Sequence, residues 1–252
     1  MSKRPVVIKI RYDEIPDDLP ECIACIGFFD SLHKGHQQLI SRCLFEAETN
    51  GLIPALICFD KDPLEIITGQ PQPHILSNQE RIAHIHALGI EMILMFEFDK
   101  KLMNVDHLHF VSDYLEKMHL RKLICGFDFR FGYQGKGDKD TLKRYGSFET
   151  IVIPEIDYYH KKISSTRIKQ EINRGNLRLA ERLLGYRYYL DVEVLKSEKT
   201  GENRLLVAKC PDAYKVMPPD GVYADQLQVK DGLFRILSHE NVREGQRIKV
   251  EP

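Results

Sequence analysis

The stretch Cys25-Ile26-Gly27-Phe28-Phe29-Asp30-Ser31-Leu32-His33-Lys34-Gly35-His36 decides how this chain is read. An apolar run ends on Gly27, two aromatics and Asp30 follow, and His33-Lys34-Gly35-His36 opens a helical pattern. The order is that of a buried strand, a tight turn and a helix N-terminus, whose free N–H groups and positive dipole end suit an anion. Histidines three apart at a helix start point the same way, so two imidazoles and the backbone amides would converge on one phosphate. Gly35 between them has no Cβ and lets a ligand approach the backbone. The same spacing also fits a plain surface or capping pair.

Outward from this stretch, apolar runs predict strands at 5–11, 22–29, 53–59, 91–98, 122–127 and 148–154. Between them the periodicity predicts helices over 34–49, from Ser77 or Asn78 to Leu88, and over 106–118. Strands alternating with helices make a doubly wound parallel α/β sheet, and such sheets bind ligands beyond the carboxyl ends of their strands. The opening stretch lies at such an end. Two later stretches carry chemistry on their residues alone. In Gly126-Phe127-Asp128-Phe129-Arg130-Phe131-Gly132-Tyr133-Gln134-Gly135-Lys136-Gly137-Asp138, aromatics offer flat walls for a ring system, and the glycines offer flexible backbone around phosphates. In Ile163-Ser164-Ser165-Thr166-Arg167, hydroxyls at a helix start fit either a helix cap or, with Arg167, a triphosphate clamp. From Tyr189 onward the texture changes to short β-like segments separated by Gly, Pro and Asp turns.

Composition narrows the class. The chain has 252 residues, 43% hydrophobic and 29% charged, with a net charge of −1. That balance argues against a general nucleic-acid or anionic-membrane partner. No apolar run reaches the length of a membrane-spanning helix, and the N-terminus turns acidic too soon for a signal peptide, so the expected location is the cytoplasm. Six cysteines lie mostly in apolar runs; Cys22-x-x-Cys25 falls inside the first strand of the motif and reads as reduced core thiols rather than a redox or metal pair. Oligomeric state is not fixed by these residues.

The run Gly27-Phe28-Phe29-Asp30-Ser31-Leu32-His33-Lys34-Gly35-His36 resembles the G-x-F-D-G-x-H-x-G-H signature of the bacterial FAD synthetases, within the HxGH nucleotidyltransferases. Phe59-Asp60-Lys61-Asp62-Pro63-Leu64-Glu65 stands where that family has F-D-P-H-P-L-E. Residues 126–138 resemble its G-x-D-F-x-F-G-x-x-x-x-G-D, residues 163–168 its I-S-S-T-R-I/V, and 176–188 its closing helix. Five departures are visible: Ser31 for glycine, Lys61 and Asp62 for proline and histidine, Lys169 for arginine, and Tyr186 for arginine. If the backbone at Ser31 needs φ > 0, serine is strained there.

The resemblance implies a Rossmann-like adenylyltransferase domain over 1–188 with ATP and FMN as substrates and Mg²⁺ accompanying ATP. It implies His33, His36 and Arg167 in catalysis. ATP would be held by Gly27, Phe28, Asp30, Gly35, Ser164, Ser165 and Thr166, and FMN by Phe59, Asp128, Phe129 and Arg130. No resident metal site is implied. Residues 189–252 would form a small β-barrel-like domain: Pro219-Asp220-Gly221-Val222-Tyr223-Ala224 resembles a turn of the family's riboflavin kinase module, but no P-T-A-N loop occurs. The expectation is FAD synthesis without kinase activity. Two other readings fit the same residues: a nucleotidyltransferase with another small-molecule acceptor, or a non-catalytic flavin- or nucleotide-binding regulator.

Overall fold

A computed structural model describes residues 5–12, 14–223 and 227–252. Its contacts divide the chain into two compact units: residues 1–72 with 76–162, and 73–75 with 163–252.

The first unit is a parallel six-stranded sheet in the order β1-β4-β3-β2-β5-β6. Its strands are β1 (Val6–Ile10), β2 (Cys22–Ile26), β3 (Ile53–Phe59), β4 (Met92–Phe96), β5 (Leu120–Gly126) and β6 (Glu149–Ile153). β2 and β4 are buried at every position, which is why they are unbroken apolar runs in sequence. From β2 the chain builds β3 and β4 on one side and β5 and β6 on the other. The switch point therefore lies between β2 and β5, whose partners include Cys25 and Ile124. The predicted strand 22–29 stops at Ile26, because the chain turns away at Gly27 and Phe29 takes a left-handed φ of 55°.

The helices follow local signals. α1 (Lys34–Asn50) ends on Gly51, whose φ of 64° suits glycine. α3 (Asn78–Ala87) starts with a capping box: Ser77 Oγ accepts from Glu80 N, while the Glu80 carboxylate accepts from Ser77 N. The predicted helix 106–118 is α5 (His107–His109), continuing through a π-helical segment (Phe110–Leu115) and a 3₁₀ turn (Glu116–Met118). Three short helices were not foreseen: α2 (Pro63–Thr68), α4 (Lys100–Met103) and α6 (Lys139–Tyr145), capped by Asp62, Asp99 and Asp138. Burial pushes the Cys22 thiol up to about 12 and Cys58 to about 11, and with Cys25 fully buried these are inert core groups.

The second unit holds α7 (Ser165–Asn173), α8 (Leu177–Leu184) and an antiparallel six-stranded half-barrel sheet ordered β12-β7-β8-β11-β10-β9. Its strands are β7 (Leu190–Thr200), β8 (Asn203–Lys209), β9 (Gly221–Tyr223), β10 (Leu227–Lys230), β11 (Leu233–Ser238) and β12 (Arg247–Val250). Asp231-Gly232, with φ of 53° and 72°, forms the tight turn between β10 and β11. The compact units part between Lys162 and Ile163 rather than at the expected 188/189, since α7 and α8 fall with the second sheet. Ala224, the last residue of the kinase-like turn, lies outside the described residues, as do residues 1–4 of the N-terminus.

Candidate active site

Leaving β2, the chain makes two left-handed steps, at Phe29 and at Leu32 (φ 46°), before α1 begins. Ser31 is not one of them. It is fully buried, and the strain expected of a serine in a glycine position does not arise, because the neighbouring residues take the left-handed conformations.

His33 is the N-cap of α1, and its Nδ1 accepts from the backbone N–H of His36 at 3.2 Å. The capping reading is thus correct and does not exclude the other. With Nδ1 an acceptor, neutral His33 carries its proton on Nε2, which leaves a donor for a ligand. Gly35 makes room for this ring: a Cβ there would fall 2.9 Å from His33 Cε1. The His36 ring stacks on His33 with centroids 3.8 Å apart and planes within 6°, and tilts against Phe29 at 5.1 Å.

Burial pushes the pKa of both imidazoles down. At His33 the Asp30 charge, and more weakly Asp128, opposes the shift while Lys162 adds to it. At His36 the shift is larger, and the charges of His33 and Arg81 reinforce burial. Burial therefore favours the uncharged form of both rings in the protein without ligand. Since the folded pKa values lie below the unfolded value of about 6.5, the unfolded chain binds more protons under that pH. Stability from these groups is complete above about pH 6.5 and is lost as pH falls. Thermal melting is expected to show a midpoint that drops on going from about pH 7 to pH 5, with a shallower drop in His36→Gln.

At the end of β3, the Phe59 ring stacks on Phe96 at 5.5 Å and meets Phe98 edge-on at 5.6 Å, so it joins an aromatic layer. Asp60 is structural: its Oδ1 accepts from Phe98 N at 2.7 Å. Asp62, which departs from the family pattern, caps α2 by accepting from Leu64 N at 2.9 Å. α2 presents Leu64 and Ile67 to solvent.

Beyond β5, Phe131 is buried against Phe110 and Phe129, while Asp128 and Arg130 are exposed. The glycines here pack rather than flex: a Cβ on Gly132 would fall 2.6 Å from His107 Cα, and one on Gly137 would fall 2.6 Å from the Phe131 ring. Arg130 pairs with Asp138 at 3.4 Å.

Two residues at this end of the sheet were not foreseen. Lys162 pairs with Asp128 and lies over the Phe127 ring. A hairpin delivers it, with Asp157 and Lys162 bridged and Tyr159 and His160 both left-handed at its tip. Arg81, from α3, is buried between the ends of β2 and β3. A lysine in a basic run and an arginine in an amphipathic helix give no sequence signal beyond a solvated charge.

The structure thus brings Gly27, Phe28, Asp30, His33, Gly35 and His36 to one turn, with Phe59 ending β3 and Asp128, Phe129 and Arg130 leaving β5 in the same unit. Ser164, Ser165, Thr166 and Arg167 belong to the second unit. There Ser164 caps α7, its Oγ accepting from Arg167 N at 3.3 Å, with Thr166 exposed.

Residues 15–167 match the family model of FAD synthetase. A bifunctional riboflavin kinase/FMN adenylyltransferase of Listeria monocytogenes is 27% identical over 240 residues, covering 91% of this chain and 76% of that protein. The one from Escherichia coli K12 is 31% identical over 210 residues, covering 81% and 67%. A crystal structure described as a macrolide-efflux protein from Streptococcus pneumoniae superposes with a TM-score of 0.83 at 25% identity, over 98% of this chain and 89% of that one. Among the described residues of this chain, no helix is long and apolar enough to cross a membrane. With three of the motif-bearing stretches at the carboxyl ends of one parallel sheet and the match spanning most of the chain, this protein belongs to the FAD synthetase family of nucleotidyltransferases.

Proposed function

We propose that this chain transfers the adenylyl group of ATP to FMN, giving FAD and pyrophosphate, and does not phosphorylate riboflavin. The observation that carries the reading is the stacked His33–His36 pair at the switch point of a chain that belongs to the FAD synthetases. An FMN phosphate oxygen attacks the α-phosphorus of ATP in line, the bond to the β-phosphate oxygen breaks, and pyrophosphate leaves. No covalent enzyme intermediate is needed, so the protein supplies position and electrostatics. His33 donates from Nε2 to a non-bridging α-phosphate oxygen, and neutral His36 supports it from behind. Gly27, Phe28, Asp30 and Gly35 shape the adenylate side. In the second unit, Ser164, Ser165, Thr166 and Arg167 at the start of α7 offer hydroxyls, amides and a guanidinium that suit phosphate oxygens. Phe59, Asp128, Phe129 and Arg130 receive FMN, with Lys162 joining Asp128 there.

Among the described residues no group of three or more ligating side chains is placed to hold a metal. A Mg²⁺ that arrives on the triphosphate and keeps phosphate and water oxygens fits this arrangement. Asp30 and Asp128 are the carboxylates whose charges reach His33. When bound, the ion would offset charge on the polyphosphate. The absence of kinase activity rests on the missing P-T-A-N loop in these 252 residues, and a cytoplasmic location on six free thiols.

The test is chromatographic: the purified chain is incubated with ATP, Mg²⁺ and either FMN or riboflavin. FAD from FMN, with no product from riboflavin, is the expected result. FMN from riboflavin would overturn the reading of the second unit, and no FAD from either oxidised or reduced FMN would overturn the transferase.

A further inference from the structure

Arg81 takes no part in the reaction sequence above, yet it is 2% exposed at the edge of the site. The capping box of α3 fixes the first turn, and a side chain one turn in leans back toward the helix N-terminus. There Nη1 donates to the carbonyl of Phe28 at 2.6 Å, and Nη2 donates to the carbonyl of Phe59 and to Asn78 Oδ1, each at 2.6 Å. Phe28 opens the turn that leads to His33, and Phe59 is the last residue of β3. One planar fork therefore ties together the carboxyl ends of two adjacent strands. The Phe28 ring lies 5.3 Å from the guanidinium carbon, and Asn78 Nδ2 donates to the carbonyl of Asp60 on the same loop.

The charge balance is unusual. No carboxylate among the described residues pairs with Arg81, and its Nε is buried without a hydrogen-bond partner. A buried cation held by main-chain oxygens and a ring, with no anion, carries a desolvation cost that a neutral amide would avoid. A guanidinium stays charged at any working pH. Its field reaches His36, whose ring faces His33 on one side and Phe29 on another; His33 in turn faces the charges of Asp30, Asp128 and Lys162.

We propose that Arg81 is a positioning residue for the adenylyl transfer: its fork locks the ends of β2 and β3 together, and its unpaired positive charge beside the stacked histidines is balanced when the polyphosphate arrives. The inference rests on the adenylyl-transfer reading. It separates geometry from charge, since lysine keeps the charge but gathers its donors on one compact nitrogen and loses the planar two-nitrogen fork, whereas glutamine keeps a hydrogen bond and drops the charge.

The experiment compares wild type, Arg81→Lys and Arg81→Gln by steady-state FAD formation with ATP varied, by thermal melting, and by NMR titration of the His36 ring protons. Arg81→Gln is expected to raise the pH at which His36 titrates and to lower kcat/KM for ATP by about 100-fold, the scale of a small misplacement at a reacting centre. Arg81→Lys is expected to leave the His36 titration in place and to lower kcat while KM for ATP changes little. An unmoved His36 titration in Arg81→Gln, with kcat/KM within about threefold of wild type, would overturn the proposal. If Arg81→Gln does not fold, Arg81→Lys decides: a folded lysine variant with wild-type kcat overturns the fork. A wild-type protein that makes no FAD fails the adenylyl-transfer reading instead, while the His36 titration still reports on the charge.

Discussion

Replacing His33 with alanine is expected to lower kcat/KM for FAD formation by about 10²- to 10³-fold, the usual cost of deleting one preorganised donor to developing charge. The ring has two jobs at two atoms. Nδ1 caps α1 by accepting from His36 N, and that leaves Nε2–H as the donor the proposed reaction uses. Losing the cap costs about 1 kcal/mol of stability, far less than the catalytic effect. His33→Asn separates the two, because asparagine is a good N-cap with no donor at the Nε2 position. Its melting temperature should stay near wild type while its activity falls with that of the alanine variant. The check is steady-state FAD formation alongside thermal melting of both variants, and wild-type turnover in His33→Ala would remove the role assigned to the residue.

Gly132→Ala is expected to be the most destabilising single-methyl change in the 126–138 stretch. Gly132 has a φ of 70°, and a Cβ there would fall 2.6 Å from His107 Cα and 2.8 Å from His107 N. That neighbour is backbone at the start of α5, pinned by Asp106, whose Oδ1 accepts from Leu108 N, and by the bond from Tyr133 N to the carbonyl of Val105. It cannot swing aside. Left-handed strain and overpacking each cost about 1–3 kcal/mol, so the sum is about 3 kcal/mol. The first unit should melt about 10 °C lower. Gly51→Ala is the control: its φ is 64°, but nothing lies within 4 Å of the added carbon. It should lose only about 1–2 kcal/mol from the left-handed conformation. Equal melting temperatures for the two variants would mean the contact at His107 carries no weight.

Features that depend on neighbours a few residues apart were legible in the sequence. Strand β3 spans 53–59 as its apolar run does, Ser77 caps α3 with Glu80 three residues on, and Gly51 stops α1. The His33–His36 spacing foretold two rings on one side of a helix start. Each of these is a local pattern, with period two or 3.6, that one chain segment carries alone. Three of the ordered motifs follow β2, β3 and β5 of the parallel sheet, and the other two open or form α7 and α8.

Tertiary structure decided the rest, because the deciding contacts join residues far apart in the chain. Whether Ser31 is strained depended on how the turn after β2 shares its left-handed steps, and they fell on Phe29 and Leu32. The glycines of the 126–138 stretch read as flexibility; His107 and the Phe131 ring turn Gly132 and Gly137 into packing positions. That the half-buried Phe59 ring stacks on Phe96 is a contact between segments far apart in the chain. Burial lowers the pKa of both His33 and His36, which no spacing reveals. Arg81 shows the limit most plainly. In an amphipathic helix it is one more polar residue, and only the meeting of α3 with the ends of β2 and β3 makes it a buried fork. Local periodicity says which face of a segment is apolar. The free energy of a buried charge depends on what the rest of the chain brings to it, and that is decided at the tertiary level.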